Sequence, residues 1–555
     1  MSQERRSASS DRRSAVDSRW SMVDGRWGPC WNAGATQIVH EAARAITSLL
    51  RSALAAGAVA LMLTACSLEP VYQRPAPPVA SSYPSGAAYR QTSGATTLPA
   101  DEIGWRNFLA DPRLQRLVEI ALANNRDLRV QALNIAQAQA QYRIQRSNLF
   151  PQVAAGASST AGRATSGITQ QNATTHVYDV GVSLSSWELD FFGRLQSLDD
   201  VALQQFFATA QARKAFQIAL VAQVADQYLT ILADEDLIAV TEQTLQTAQQ
   251  SYNLTKLQFD TGTTNEESLR QAETVVEQAK ANYAAQVRSR AQDQNMLVLL
   301  LGESPPADLP PGVPLSSQAL LTDVPACLPS DLLTRRPDIM EAEANLRAAN
   351  ANIGAARAAF FPSINLTGGL GTESAALSGL FGGGSFAWSF IPSITVPIFE
   401  GGRLRANLDV ATIQKDINVA QYEKTIQTAF EEVANDLAAR GTYDDQVAAL
   451  ERDVAASQRF LDLAQQRFHA GVDSYLNVLT AQTSLYNAQQ TLVAARLARL
   501  TTLVSLYRDL GGGWIEHTGD APAAPEDIGS LATHNDAPWD FHNTSRRASP
   551  DTSTR

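Results

Sequence analysis

The sequence predicts an α+β membrane protein in which long helical hairpins are joined to a small set of lipid-facing strands, the whole unit being present twice. Three observations carry this. From Arg194 to Phe259 there is neither proline nor glycine, and the matching segment 403–468 has no proline and a single glycine, Gly441. Stretches such as 178–184 and 386–398 alternate apolar with small or polar residues. The turn in FDTGTTNEESLRQAE (259–273) returns as FHAGVDSYLNVLTAQ (468–482), with Gly262 and Gly471 separated by 209 residues.

The first element is an export signal. Arg44 and Arg51 precede the apolar run ALAAGAVALMLTA at 53–65. Such a run is too short to span a bilayer and suits a signal h-region. It ends in LTAC (63–66), a match to the bacterial lipoprotein box in which the Cys66 thiol is acylated and becomes the new N-terminus. A plain signal peptide beside an unrelated cysteine is the alternative. The polar stretch before the signal is explained equally by a functional extension or by a start codon placed too far upstream, with Met22 as one other start. Cleavage before Cys66 removes eight basic and five acidic residues and leaves 36 against 51, a net charge of −15. An acidic body of this kind argues against nucleic acid as a partner. Cys30 is lost and Cys66 is acylated, so Cys327 stands alone and no intrachain disulfide can form. Beyond the signal no 18-residue apolar run predicts a transmembrane helix.

The helices come next. The uninterrupted 194–259 segment would be roughly 100 Å long as one α-helix. Apolar residues recur at three- and four-residue steps, as in Phe216, Leu220, Val224 and Tyr228, the pattern of a helix packed on neighbours along its length. A soluble coiled coil has the same signature. Two shorter helices, about 113–147 and 265–301, together match the long one, so the simplest layout stacks them end to end beside it. The duplication extends to LFPQV (149–153) with FFPSI (360–364) and to Gly193-Arg194 with Gly402-Arg403. These landmarks divide the chain into a cleaved region 1–65, a lipidated segment 66–100, a first repeat 101–302, a Pro-rich linker 303–330, a second repeat 331–514 and a polar disordered tail 515–555.

The strands fill the gap between each "FP" and "GRL" landmark. In FAWSFIPSITVPI (386–398), Phe386, Trp388, Phe390, Ile394, Val396 and Ile398 alternate with Ala387, Ser389, Ser393 and Thr395. The same period appears at 178–184 and 363–371, and more weakly near 152–160. Aromatic-rich alternation is the signature of a membrane barrel strand; a soluble sandwich would share it. Pro392 is expected at a bend or near the rim. Four strands cannot close a barrel, and lipid forbids an open edge. The chain must therefore share its barrel with identical chains.

Several stretches resemble the outer-membrane efflux protein family, the TolC-like channels, and most closely its lipoprotein (NodT/OprM-like) branch. They are LTAC with PVYQRP (70–75), SNLFPQV (147–153) and SWELDFFGRL (186–195), then LPSDLLTRRPDIMEAEANLRAANANIGAARAAFFPS (328–363), GVDSYLNVLTAQTSLYNAQQTL (471–492) and LYRDLGGGW (506–514). The resemblance covers about 100–514. It implies a homotrimer with a shared twelve-stranded barrel, a twelve-helix periplasmic tunnel and an equatorial belt formed by the linker and C-terminal parts. It also implies pairing with an inner-membrane pump, of the RND type, through a periplasmic adaptor, so that the chain is a passive exit duct for drugs or other small molecules. No cofactor or metal is implied.

Within that picture each Phe-x-x-Gly turn is a periplasmic hairpin tip, and six tips in a trimer form a ring that can meet an adaptor. The candidate tip residues are Phe259, Gly262, Thr263, Asn265, Phe468, Gly471 and Asp473. Members of this branch often carry an acid just before "AQ" that rings the aperture; here that position is Thr480, so Glu266, Glu267, Asp473 and Asn477 join it as aperture candidates. Catalysis finds no support: only His176 and His469 lie in the repeated body, in different elements, and no HExxH, Walker, Cys-x-x-Cys or Gly-x-Ser-x-Gly motif is present. The competing class is a lipid-anchored coiled-coil scaffold without a pore, which would have no use for the paired strand blocks.

Overall fold

The structure, a computed structural model, describes residues 67–89, 98–165, 172–320 and 329–520. The signal region with Cys66, Cys327 of the linker and the chain beyond 520 lie outside the described residues.

After a short helical turn at Trp105–Phe108, the first longer helix begins at Asp111, whose Oδ1 accepts from the Arg113 amide at 2.8 Å, with Pro112 in the first turn, a strong N-terminal signal because the proline's missing N–H has no partner to lose there. Helix α1 (Pro112–Asn124) and α2 (Arg126–Ser147) follow. One helix over 113–147 was expected from the sequence. Asn125 divides it: its backbone is extended (φ −58°, ψ 128°) and its side chain caps α2 by accepting from Leu128 N at 2.8 Å. The long helix α3 (Arg194–Asp260) and its return α4 (Glu266–Leu301) form the first hairpin. In the second half, α5 (Pro337–Ala358) precedes the second hairpin, α6 (Arg403–His469) and α7 (Tyr475–Asp509). Helix α6 runs through Gly441 without a break.

Packing fixes the layout. Near the tips α3 lies against α4 and α7, and α7 against α6; nearer the strands α3 lies against α2 and α5, and α5 against α6. The side-by-side order is therefore α4-α3-α7-α6 in one half and α2-α3-α5-α6 in the other. Each long helix is continuous while its neighbours are stacked pairs, α2 on α4 and α5 on α7. The two joints are built alike. Asn125 Nδ2 donates to the Leu300 carbonyl at 2.9 Å, and Arg336 Nη1 donates to the Asp509 carbonyl at 3.1 Å. Each donor satisfies a last-turn carbonyl left orphaned by the end of its helix.

The main core lies at these joints. Phe108, Leu109, Leu114, Leu117, Val224, Leu229, Leu346, Leu506 and Tyr507 are all fully or almost fully buried in one cluster. Phe108 stacks on Tyr507 with centroids 4.0 Å apart, and Tyr507 Oη donates to Ile103 O at 2.5 Å. Part of α3 is apolar enough by composition to cross a membrane, with a mean hydropathy of 1.3, but 56% of that window is buried inside the protein; its apolar side chains serve this core. The segment after α7 belongs to the same region. Trp105 N donates to Ile515 O at 3.0 Å, Arg106 N to Glu516 O at 3.2 Å, and Gly104 N to Thr518 Oγ1 at 3.0 Å. Residues 515–518 thus pack on the body, where the sequence places the start of a polar disordered tail. Main-chain pairing holds 515–518 in place, a contact that polar composition cannot reveal.

An N-terminal strap runs along α5. Arg357 donates to Leu68 O, Asn350 to Pro70 O at 2.7 Å, and Arg74 makes a two-pronged pair with Glu343 at 3.0 and 2.7 Å. Tyr83 then stacks on Phe430 of α6.

The sheet is antiparallel in the order β1 (Val153–Thr165), β2 (Asn172–Leu189), β3 (Ser363–Ser374) and β4 (Phe386–Thr395). A bulge falls between Leu184 and Trp187. Pro392 sits within β4 opposite Leu366, not at a bend; within the single chain β4 has β3 alone beside it. Phe192 stacks on Phe361 at 4.7 Å, tying the first "GRL" block to the second "FP" block.

Candidate functional site

The two tips share one backbone solution. In the first, Gly262 has φ 75°, its amide donates to Phe259 O at 2.9 Å, and Thr263 N donates to Gln258 O at 2.8 Å. In the second, Gly471 has φ 71°, its amide donates to Phe468 O at 2.9 Å, and Val472 N donates to Arg467 O at 3.0 Å. Both are Schellman closures, in which a left-handed residue lets two amides fold back onto the last-turn carbonyls. Glycine suits that conformation because a Cβ is penalised there.

The side chains of the tips differ. At the first, Asn265 caps α4 by accepting from Ser268 N at 2.9 Å, and Thr263 Oγ1 donates to Gln258 O at 2.9 Å. Phe259 is exposed. At the second, Phe468 packs on Tyr475 with centroids 5.4 Å apart, within a cluster that includes Ala272, Leu461, Ala464 and Val478. Ala272 belongs to α4, so the two hairpins are packed together near their ends. Arg467 Nε pairs with Asp473 Oδ2 at 2.6 Å across the turn. That hydrogen bond holds the Asp473 carboxyl below its ordinary range. The sequence reading chose Asp473 but missed Arg467; the six-residue spacing that spans the closure was the available signal.

Of the aperture candidates, Glu266, Glu267, Asn477 and Thr480 are exposed. Glu266 is paired with Arg270 at 3.3 Å, and Thr480 Oγ1 donates to Leu476 O in its own helix at 2.9 Å. The structure thus places Glu266 and Glu267 in the first turn of α4 and Asn477 and Thr480 in the first turns of α7. His176 lies in β2 and His469 at the end of α6, so the two histidines are not brought together.

At the other end, the sheet register sorts residues into two faces. Trp388 pairs with Leu370, Leu370 with Val182, and Val182 with Ala155; Phe390, Gly368, Leu184 and Val153 form the next row. Because neighbours across a sheet share a face, this side is apolar, and Phe386, Trp388, Phe390 and Ile394 on it are all more than 60% exposed in the single chain. The opposite face carries Ser389, Gly369, Ser183 and Gly371. On it Asp179 lies directly opposite Glu373 on one side and Ser158 on the other, with Ser158 donating to Asp179. This carboxylate pair was not singled out from the sequence, because only the β2–β3 register brings positions 194 residues apart together.

Residues 117–303 and 328–512 match the family described as Outer membrane efflux protein. Among curated relatives, the probable efflux pump outer membrane protein TtgC of Pseudomonas putida is 49% identical over 475 residues, 85% of this chain and 98% of that one. Outer membrane protein OprJ of Pseudomonas aeruginosa is 45% identical, covering 82% of this chain and 95% of its own. Among solved structures, a membrane protein from Pseudomonas aeruginosa aligns with a TM-score of 0.74 at 44% identity over 81% of this chain and 98% of that one. The open state of the MtrE outer membrane channel of Neisseria gonorrhoeae aligns with a TM-score of 0.73 at 40% identity, covering 82% of this chain and all of that one.

Proposed function

Because this chain belongs to the outer membrane efflux protein family, we propose that its two hairpin tips are the surface through which it joins an adaptor and a pump. The chain is an outer-membrane channel of a tripartite efflux system, a trimeric duct in which four strands per chain build a twelve-stranded barrel continuous with a twelve-helix periplasmic extension. The family is one of channels rather than enzymes. The observation that supports the pore is the two-faced sheet. An apolar side rich in aromatics suits lipid, a small and polar side suits a water-filled lumen, and the free edges of β1 and β4 require neighbouring chains.

The tip assignment is supported by the duplicated Schellman closure. Two nearly identical backbone turns per chain give six in the trimer, a quasi-six-fold ring for a periplasmic adaptor. Phe259, Thr263 and Asn265 supply the contact at one tip, and Phe468 and the Arg467–Asp473 staple at the other. Glu266, Glu267, Asn477 and Thr480 line the aperture between them. Asp473 is engaged by Arg467 and Glu266 by Arg270, so Glu267 is the acid best placed to give the aperture an acidic ring.

Lipidation at Cys66 fits the strap. Leu68 and Pro70 are held by Arg357 and Asn350, beside the end of α5 that leads within a few residues into β3. An acyl group on Cys66 would therefore enter the bilayer beside the barrel. The reading is tested by expressing the chain with the adaptor and pump of a TtgC-type system in cells that lack their own outer channel. Restored solvent or drug tolerance and single-channel conductance of the purified protein are expected; a protein that forms trimers but conducts nothing would favour the scaffold.

A further inference from the structure

Each hairpin carries one carboxyl–carboxyl pair between its two helices, far from its tip. In the first, Asp234 of α3 faces Asp293 of α4; in the second, Asp436 of α6 faces Asp509 of α7. Asp234 and Asp509 are only 6% and 4% exposed. Oδ2 of Asp234 and Oδ2 of Asp436 are buried and accept from no donor. A buried acceptor without a donor is costly, and two ionised carboxylates in contact repel. One proton shared within each pair removes both penalties.

The surroundings neutralise the pairs only in part. Beside Asp234 and Asp293, Arg290 is occupied by Glu235 at 2.7 Å, while Gln227 Nε2 donates to Asp293 Oδ1 at 2.9 Å and Ser289 to Asp293 Oδ2 at 3.5 Å. Around Asp436 and Asp509, α7 contributes Arg508, which binds Asp509 at 2.8 Å. Helix α6 contributes Glu432, and α5 contributes Asp338; both are bound by Arg336 at 2.8 and 2.7 Å, and Arg336 also lies 4.0 Å from Asp509 Oδ1. Helix α3 contributes Asp226, which faces Arg508. Two arginines thus meet five carboxyl groups in this second joint. Burial first, and the facing aspartate second, hold Asp234 and Asp436 above the ordinary carboxylate range.

We propose that the two pairs are a proton-operated lock on the hairpins: sharing a proton, each pair draws its helices together, and losing it lets them part and the tips spread. By the rise per residue, the pairs stand roughly 40 and 50 Å from the tips, so a small parting at the lock is amplified there. For carboxyls with raised values the hold is complete below the ordinary carboxylate range and is lost as pH climbs through the raised values. The channel is tighter in acid and looser near neutrality and above. The device rests on the family reading that these hairpins wall a tunnel.

Purified trimer in planar bilayers, at fixed salt between pH 5 and 8.5, tests it. The wild-type protein is expected to gain at least about twofold in mean conductance as pH rises. Asp234→Asn/Asp436→Asn supplies an uncharged amide donor to each facing carboxylate, so it should stay near the acid level throughout. Each single variant should lose part of the rise, which keeps the test open should the double variant not assemble. A flat wild-type profile, or a double or single-variant profile identical to wild type, would overturn the lock. Absence of any conductance would instead count against the channel reading.

Discussion

Gly302 and Gly511, 209 residues apart, occupy the same place in the two helix joints. Each follows an ascending helix in a left-handed conformation (φ 75° and 88°), and each rests against backbone that enters the helix stacked above. A Cβ on Gly302 would collide with the Asn124 carbonyl oxygen, and one on Gly511 would lie 2.8 Å from the Arg335 carbonyl oxygen. Duplication has preserved a contact that only a residue without a side chain can make.

Gly302→Ala and Gly511→Ala should therefore lower the melting temperature of the trimer more than Gly262→Ala or Gly471→Ala. All four face the left-handed penalty of about 1–2 kcal/mol, but a Cβ at either tip has nothing within 4 Å. Heat-dissociation of the trimer on gels gives the ranking. Equal losses at joints and tips would mean that the close approach is relieved by backbone movement.

Gly471→Pro should abolish efflux while trimers still insert. Proline cannot take a positive φ and lacks the amide that donates to Phe468 O. The lesion lies a full helix length away from the strands, so it leaves them free to close. Gly262→Pro should act the same way but less strongly, because the second tip keeps the family pattern better. Cross-linking to the adaptor beside a drug-susceptibility assay reads both; normal docking and efflux would leave the turns no role in recognition.

Trp388→Arg should impair membrane insertion and Ser389→Arg should not. The register puts Trp388 on the apolar face with Leu370 and Val182, where a charge near the midplane costs about 2–4 kcal/mol. Ser389 lies on the opposite face, with Gly369 and Ser183. The yield of heat-modifiable trimer decides, and the reverse order would refute the assignment of faces.

Asp179→Asn/Glu373→Gln should reduce the preference of the pore for cations. The cross-strand pair sits on the polar face, and three chains would bring six carboxyl groups to one level of the barrel. Reversal potentials in a salt gradient measure the change. An unaltered cation-to-anion ratio would show that these groups do not set the field in the lumen.

The sequence by itself determined the plan. Uninterrupted helix-forming runs, period-two strands and landmarks that return after 209 to 211 residues are written in the sequence itself. From them came the hairpins, the glycine turns at the tips, the alternation of faces and the need for partner chains. Tertiary structure decided what depends on residues far apart in the chain. Asn125 looks like any polar residue of an amphipathic helix until Leu300 O stands beside its amide. Arg467 becomes a staple only because the closure turns Asp473 back towards it. Asp179 meets Glu373 through strand register, and Ile515 joins the body through main-chain pairing with Trp105. The carboxyl pairs of the hairpins were equally hidden, since a carboxylate on a long polar helix reads as solvated until a second helix buries it against another acid.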